Sequence, residues 1–152
     1  MAAEGFRLEQ VLRVARSKEE QAQQHLAQLA AERERAHAQL RALREQELQQ
    51  LSALRDRGQA RSLDPAAHDH ARAYLERLAG WIHERSGQVV SVDEQVLASR
   101  GELLELLRER RSLELLKERQ EAEQAREGAR REQKQADDAT STRFVRRAQG
   151  AS

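Results

Sequence analysis

Between residues 6 and 57, apolar side chains recur in a heptad rhythm. One seam position holds Leu8, Ala15, Ala22, Leu29, Ala36, Leu43 and Gln50, each seven apart. The other holds Leu12, Glu19, Leu26, Arg33, Leu40, Glu47 and Leu54. Ten of these fourteen positions are apolar, and no glycine or proline interrupts them. A seven-residue repeat keeps one stripe of a helix turned toward a partner helix, so the spacing predicts one coiled-coil helix over 6–57. Glu19, Arg33 and Glu47 break the apolar run. Polar residues in a seam lower stability but select register and partner.

Gly58 is a natural residue at which to end that helix. Asp64-Pro65 is a natural place to begin another. The aspartate can accept a hydrogen bond from the first turn, and proline at the first helical position lacks a donor that would be orphaned anyway. The connection, about 58–64, is short, and short connections make neighbouring helices antiparallel. Helix two is expected from 65 to about 138. A break competes with continuity at Gly87-Gln88-Val89-Val90-Ser91, where Ser91 and Glu94 match a capping box.

The leucines favour continuity. A hairpin turning at 58–64 sets Leu8 against Leu116, Leu12 beside Leu113, Ala22 beside Leu103, Leu29 near Val96, and Leu43 near Trp81 and Ile82. Leucines then stop at Leu116, where helix one runs out. The following stretch, KERQEAEQAREGARREQKQADD, is mostly charged, as an unpartnered solvated helix should be. Residues 139–152 read as a flexible tail. The expected fold is all-α: a long antiparallel two-helix coiled-coil hairpin with a single-helix C-terminal extension, forming one domain over 1–152. Pairing of the same seams between two chains is the alternative.

Composition narrows the function. Charged residues make up 35% of the chain and aromatics 3%, so it buries a narrow seam and not a thick core. Both charge signs are interspersed and the formal net charge is +1, which is no nucleic-acid footprint. The short basic stretch Arg143-Phe144-Val145-Arg146-Arg147 is the exception. Without cysteine there is neither a disulfide framework nor a thiolate metal site. No apolar run reaches the length of a membrane span. The opening MAAEGFRLEQ has no apolar signal region. The chain reads as soluble and cytoplasmic, with no direct membrane insertion.

Catalytic chemistry finds no foothold. His25, His37, His68, His70 and His83 do not converge at helical spacing; His68 and His70, two apart, point in different directions. There is no glycine-rich phosphate loop and no serine nucleophile motif. A two-helix rod also lacks the concave pocket that catalysis needs. No enzyme activity, cofactor or metal is expected.

What remains is surface. Tyr74, Leu78 and Trp81 share one helical face. Ala71, Leu75 and Ile82 form a second stripe at the same depth. Both cannot be fully buried in a two-stranded coil, so one should show at the edge. Exposed tyrosine and tryptophan on a helix are typical of a partner-binding patch.

The stretch RSLELLKERQEAEQAREGARREQKQADD, residues 111–138, resembles the C-terminal signature of the FliJ family, small coiled-coil proteins of the bacterial flagellar type III export apparatus. The matching residues are Arg110-Arg111, Leu113, Leu116, Lys117 and Arg119, then Glu132-Gln133-Lys134 and Asp137-Asp138. The opening FRLEQVLRVARSKEEQAQQHLAQ, residues 6–28, is similar to the family's N-terminus, with its Leu-Glu-x-Val-Leu start and Lys-Glu-Glu.

The resemblance implies a non-catalytic hairpin like the central stalk of rotary ATPases. Such a stalk enters the hexameric flagellar export ATPase, promotes ring assembly, couples the ring to the transmembrane export gate protein, and binds and recycles export chaperones. It implies a cytoplasmic protein held peripherally at the inner membrane, at the flagellar base. By position, the gate-facing patch maps to Gln39, Leu43, Gln46 and Gln50 on helix one, and to Tyr74, Leu78, Trp81 and Arg85 on helix two. Positions 46 and 50 hold glutamine where the family pattern carries aromatics. The ATPase ring is expected to meet the charged end, at Lys117, Arg119, Arg130, Arg131 and Lys134. The alternatives are the equivalent stalk of a virulence-type secretion system and a generic coiled-coil scaffold.

Overall fold

A computed structural model describes residues 2–59 and 64–150. It holds two helices, α1 (Ala2–Gln59) and α2 (Pro65–Gly150), and no strand among the described residues. The architecture is the expected all-α helical hairpin, in which the two helices pack against each other. Contacts divide the chain into two units: residues 19–105, and residues 1–18 with 106–152.

In the unit spanning 19–105, the heptad seam of α1 is the covered face. Leu29, Ala36 and Leu40 are buried, and Ala22, Leu26, Leu43, Glu47, Gln50 and Leu54 are half-buried. The facing line on α2 runs through Leu75, Leu78, Ile82, Val89, Val96 and Ser99. Ala36, Leu40 and Val89 form one buried cluster with Ile82 packed against it. Cross-helix pairs run in opposite directions, Arg33 to Asp93 and Gln39 to Arg85, so the helices are antiparallel here.

In the other unit, Leu8, Leu12 and Ala15 of α1 are buried, and Leu106 and Leu113 of α2 are half-buried. Glu9 meets Lys117 at 3.5 Å and Arg16 meets Glu114 at 3.7 Å, again antiparallel. Leu116 was expected opposite Leu8, yet it stays 45% exposed. The covered residues are its neighbours Leu113 and Lys117, which continue the 3–4 spacing of the α2 line.

Helix ends follow local chemistry. The Ala66 amide donates to Asp64 Oδ1 at 3.1 Å, and the His68 amide donates to the Asp64 carbonyl at 3.1 Å. Asp64 is therefore the N-cap and Pro65 the first helical residue. Gly58 keeps helical geometry in the last turn of α1 and does not form a left-handed cap. Residues 60–63, in the expected turn, lie outside the described residues.

Two expectations about α2 are resolved by its extent. The helix passes through Gly87 unbroken. It also continues past Asp138 to Gly150, where a flexible tail was expected from 139. The Thr140 and Thr142 hydroxyls donate to the carbonyls of Ala136 and Asp138, both at 2.8 Å, so these helix-averse residues turn back on the helix itself. From 121 to 150 every side chain is exposed except the half-covered Glu127.

Candidate functional site

Leu78 occupies the place where the two proposed stripes of α2 cross. Its spacing fits Tyr74 and Trp81, but it fits Ala71, Leu75 and Ile82 equally well. Packing assigns it to the second set: Leu78 is 0% exposed, the most enclosed large side chain among those described. It is therefore a core residue and not part of a docking face, which corrects the sequence expectation. Tyr74 is half-buried at the edge of the seam, and Trp81 keeps 45% of its surface exposed.

Trp81 borders a cleft of about 520 Å³ between the helices. Gln39, Ala42, Leu43 and Gln46 of α1 form one wall; Trp81, Glu84 and Arg85 of α2 form the other. Arg85 links the two helices. It donates from Nη1 to Gln39 Oε1 at 2.6 Å and to Gln88 Oε1 at 3.0 Å. The cleft thus combines the apolar Ala42 and Leu43, the Trp81 ring and a guanidinium whose position is set by two amide oxygens.

Five of the eight expected patch residues meet around this cleft: Gln39, Leu43, Gln46, Trp81 and Arg85. Gln50 and Tyr74 are half-buried and are not among its lining residues. Ala42 and Glu84 line it and were not expected. Each is within three residues of a residue that was, so helical adjacency alone would have found them.

Further along the same unit, the polar seam residue Arg33 finds its partner. Its Nε donates to Asp93 Oδ1 at 2.6 Å, and His37 Nε2 lies 3.2 Å from the same oxygen. The Arg33 hydrogen bond, and then that of His37, hold the Asp93 carboxyl below its ordinary pKa. One acidic side chain therefore ties two basic residues of α1 to α2.

In the other unit, Glu114 is the corresponding hub. It accepts from Arg110 at 2.7 Å and lies 3.6 Å from Arg111 and 3.7 Å from Arg16. The Arg110 hydrogen bond is the main cause of its lowered pKa. Of the residues expected to meet the ATPase ring, Lys117 is half-buried between Glu9 and Glu121, so it also joins α1 to α2. Arg119, Arg130, Arg131 and Lys134 are exposed, and Arg119 borders a shallow groove with Leu115, Ala122 and Arg126.

Among the described residues, no group of three or more His, Asp or Glu is placed to hold a metal ion. No described helix is long and apolar enough to cross a membrane. Neither a curated protein nor a solved structure matches the chain. The family model described as "Flagellar FliJ protein" matches residues 4–149, nearly the whole length. The chain belongs to the FliJ family, and is thereby a coiled-coil protein related to flagellar export.

Proposed function

We propose that this protein is the non-catalytic stalk of the flagellar export machinery, and that the Trp81 cleft is where it docks the transmembrane export gate. The observation that carries this reading is the convergence of Trp81 and Arg85 with Gln39, Leu43 and Gln46 around one cleft. The same five residues belong to the gate-facing patch that the family resemblance implies. A half-exposed tryptophan beside a fixed arginine is the composition of a binding hot spot.

The exposed cations Arg119, Arg130, Arg131 and Lys134 would meet the hexameric export ATPase, with Lys117 at the margin of that surface. A rod inside a ring contacts its subunits unequally and so favours some conformations over others. That differential contact is how a chain without catalytic residues would promote ring assembly and turnover. Export chaperones would be further partners, and the flagellar base at the inner membrane the place of action. The flagellar family match supports this stalk over one from a virulence-type system or a generic scaffold.

The deciding experiment titrates the cytoplasmic domain of the export gate with wild-type protein and with Trp81→Ala. Loss of affinity by about tenfold or more, at unchanged helicity, is expected for a hot-spot tryptophan. Equal affinity would remove the cleft from the interface. ATP turnover and hexamer formation by the export ATPase, with and without the protein, test the ring contact separately.

A further inference from the structure

Gln39 and Arg85 line two clefts at once. One is the Trp81 cleft. The other, of about 300 Å³, continues along the hairpin past Ala36, Gln88, Ser91 and Val92. Together they make one groove. α1 supplies every third or fourth residue of its edge from Arg35 to Gln46, and α2 does so from Trp81 to Val92. Arg85 stands where the two clefts meet.

Its charge sets it apart. Three Lys or Arg side chains are half-buried among the described residues: Arg85, Arg110 and Lys117. Arg110 rests on Glu114 at 2.7 Å and Lys117 on Glu9 at 3.5 Å. Arg85 rests on neutral groups, the amide oxygens of Gln39 and Gln88. These orient the guanidinium without neutralising it. Partial burial thins the hydration of the cation and strengthens its attraction to an anion. Both amides take Nη1, and no described residue accepts from Nε or Nη2. Adjacent donors of this kind form the fork that receives a carboxylate. The acids that share the groove, Glu32 and Glu84, are exposed, and neither pairs with Arg85.

We propose that Arg85 receives a carboxylate of the export gate. The gate segment that docks here carries an Asp or Glu beside an apolar side chain, the acid on Arg85 and the apolar group against Trp81, Ala42 and Leu43. Trp81 and Arg85 are about 6 Å apart along the helix axis. The two groups therefore stand three or four residues apart if the segment is a helix, or two apart if it is a strand. Glu84 disfavours a second acid on the Trp81 side, which fixes the end of the segment that bears the charge. This inference rests on the gate reading of the cleft and names what that partner must present.

The test titrates the cytoplasmic domain of the gate with full-length Arg85→Gln, beside wild type and Trp81→Ala. Glutamine keeps hydrogen bonding and removes the charge. Arg85→Gln should lower affinity by about tenfold or more at unchanged helicity. Arg85→Lys, which keeps the charge and loses the fork, should lower it less. Each Asp and Glu of the gate domain is then replaced singly by its amide. One of these should match the loss of Arg85→Gln and fail to add to it. Arg85→Glu should bind the gate variant with arginine at that place better than it binds the wild-type gate. If Trp81→Ala weakens binding while Arg85→Gln and Arg85→Glu bind as wild type does, the carboxylate is overturned and the gate reading stands. An Arg85→Gln loss that adds to that of every gate carboxylate also overturns it, and assigns Arg85 to bracing the hairpin. Wild-type protein that does not bind the gate domain overturns both.

Discussion

Leu78 and Trp81 lie three residues apart on α2, yet Leu78 is fully enclosed while Trp81 keeps 45% of its surface. One turn of helix thus divides into a residue that holds the hairpin and a residue that borders its cleft. Truncating the two should separate stability from binding. Leu78→Ala removes packed atoms and leaves a cavity, at a cost of about 2–5 kcal/mol. Trp81→Ala removes a half-solvated ring and should cost about 1 kcal/mol or less. Thermal melts followed by circular dichroism give both values. Equal losses would mean that Trp81 is also core.

Asp93 gives the hairpin an acid-sensitive tie. Its folded-state pKa is lowered, chiefly by the hydrogen bond from Arg33 and then by that from His37. A carboxylate with a depressed pKa stabilises the fold above its ordinary pKa and loses that contribution as pH falls through the depressed value. The melting temperature should therefore drop on acidification below the ordinary carboxylate range. Asp93→Asn should melt lower at neutral pH and show a shallower acid decline than wild type. A parallel pair of melting-versus-pH curves would show that Asp93 makes no such contribution.

Much of this hairpin is legible in the heptads of α1, because a seven-residue repeat maps directly onto a covered face. Arg33 was visible as a seam interruption, but its partner Asp93 is sixty positions away and no periodicity connects them. Leu78 was misassigned for a related reason: it stands four after Tyr74 and three after Leu75, so spacing alone assigns it to either stripe. Only packing against α1 decides. Five residues of the cleft follow from the resemblance to a family, and Ala42 and Glu84 are the sequence neighbours of two of them, Leu43 and Arg85. The helix through 139–150 is not legible in the sequence because Thr140 and Thr142 read as helix-averse until their hydroxyls find carbonyls one turn back.

Asp64 sets where α2 begins. Its Oδ1 accepts from the Ala66 amide, one of the otherwise orphaned donors of the first turn. Asp64→Ala should destabilise the protein by about 1 kcal/mol, and Asp64→Ser should restore most of that loss. Chemical denaturation measures both. Failure of serine to rescue would assign the aspartate a role other than capping.

The exposed end of α2 separates folding from function most sharply. Side chains from 121 to 150 lie in solvent apart from the half-covered Glu127, so the extension draws no stability from a partner helix. Helical segments without such packing fray at low cost. Ending the chain after Ala122 should remove helical signal in proportion to the residues lost and leave the melting temperature of the remaining hairpin unchanged. If Arg130, Arg131 and Lys134 engage the export ATPase, the same truncation should abolish stimulation of ATP turnover. It should leave binding to the gate domain intact, because the Trp81 cleft keeps all its lining residues. Charge reversal at Arg130, Arg131 and Lys134 in the full chain should reproduce the loss of stimulation without shortening the helix. Stimulation that survives both changes would move the ATPase contact off the extension and onto the paired part of the hairpin.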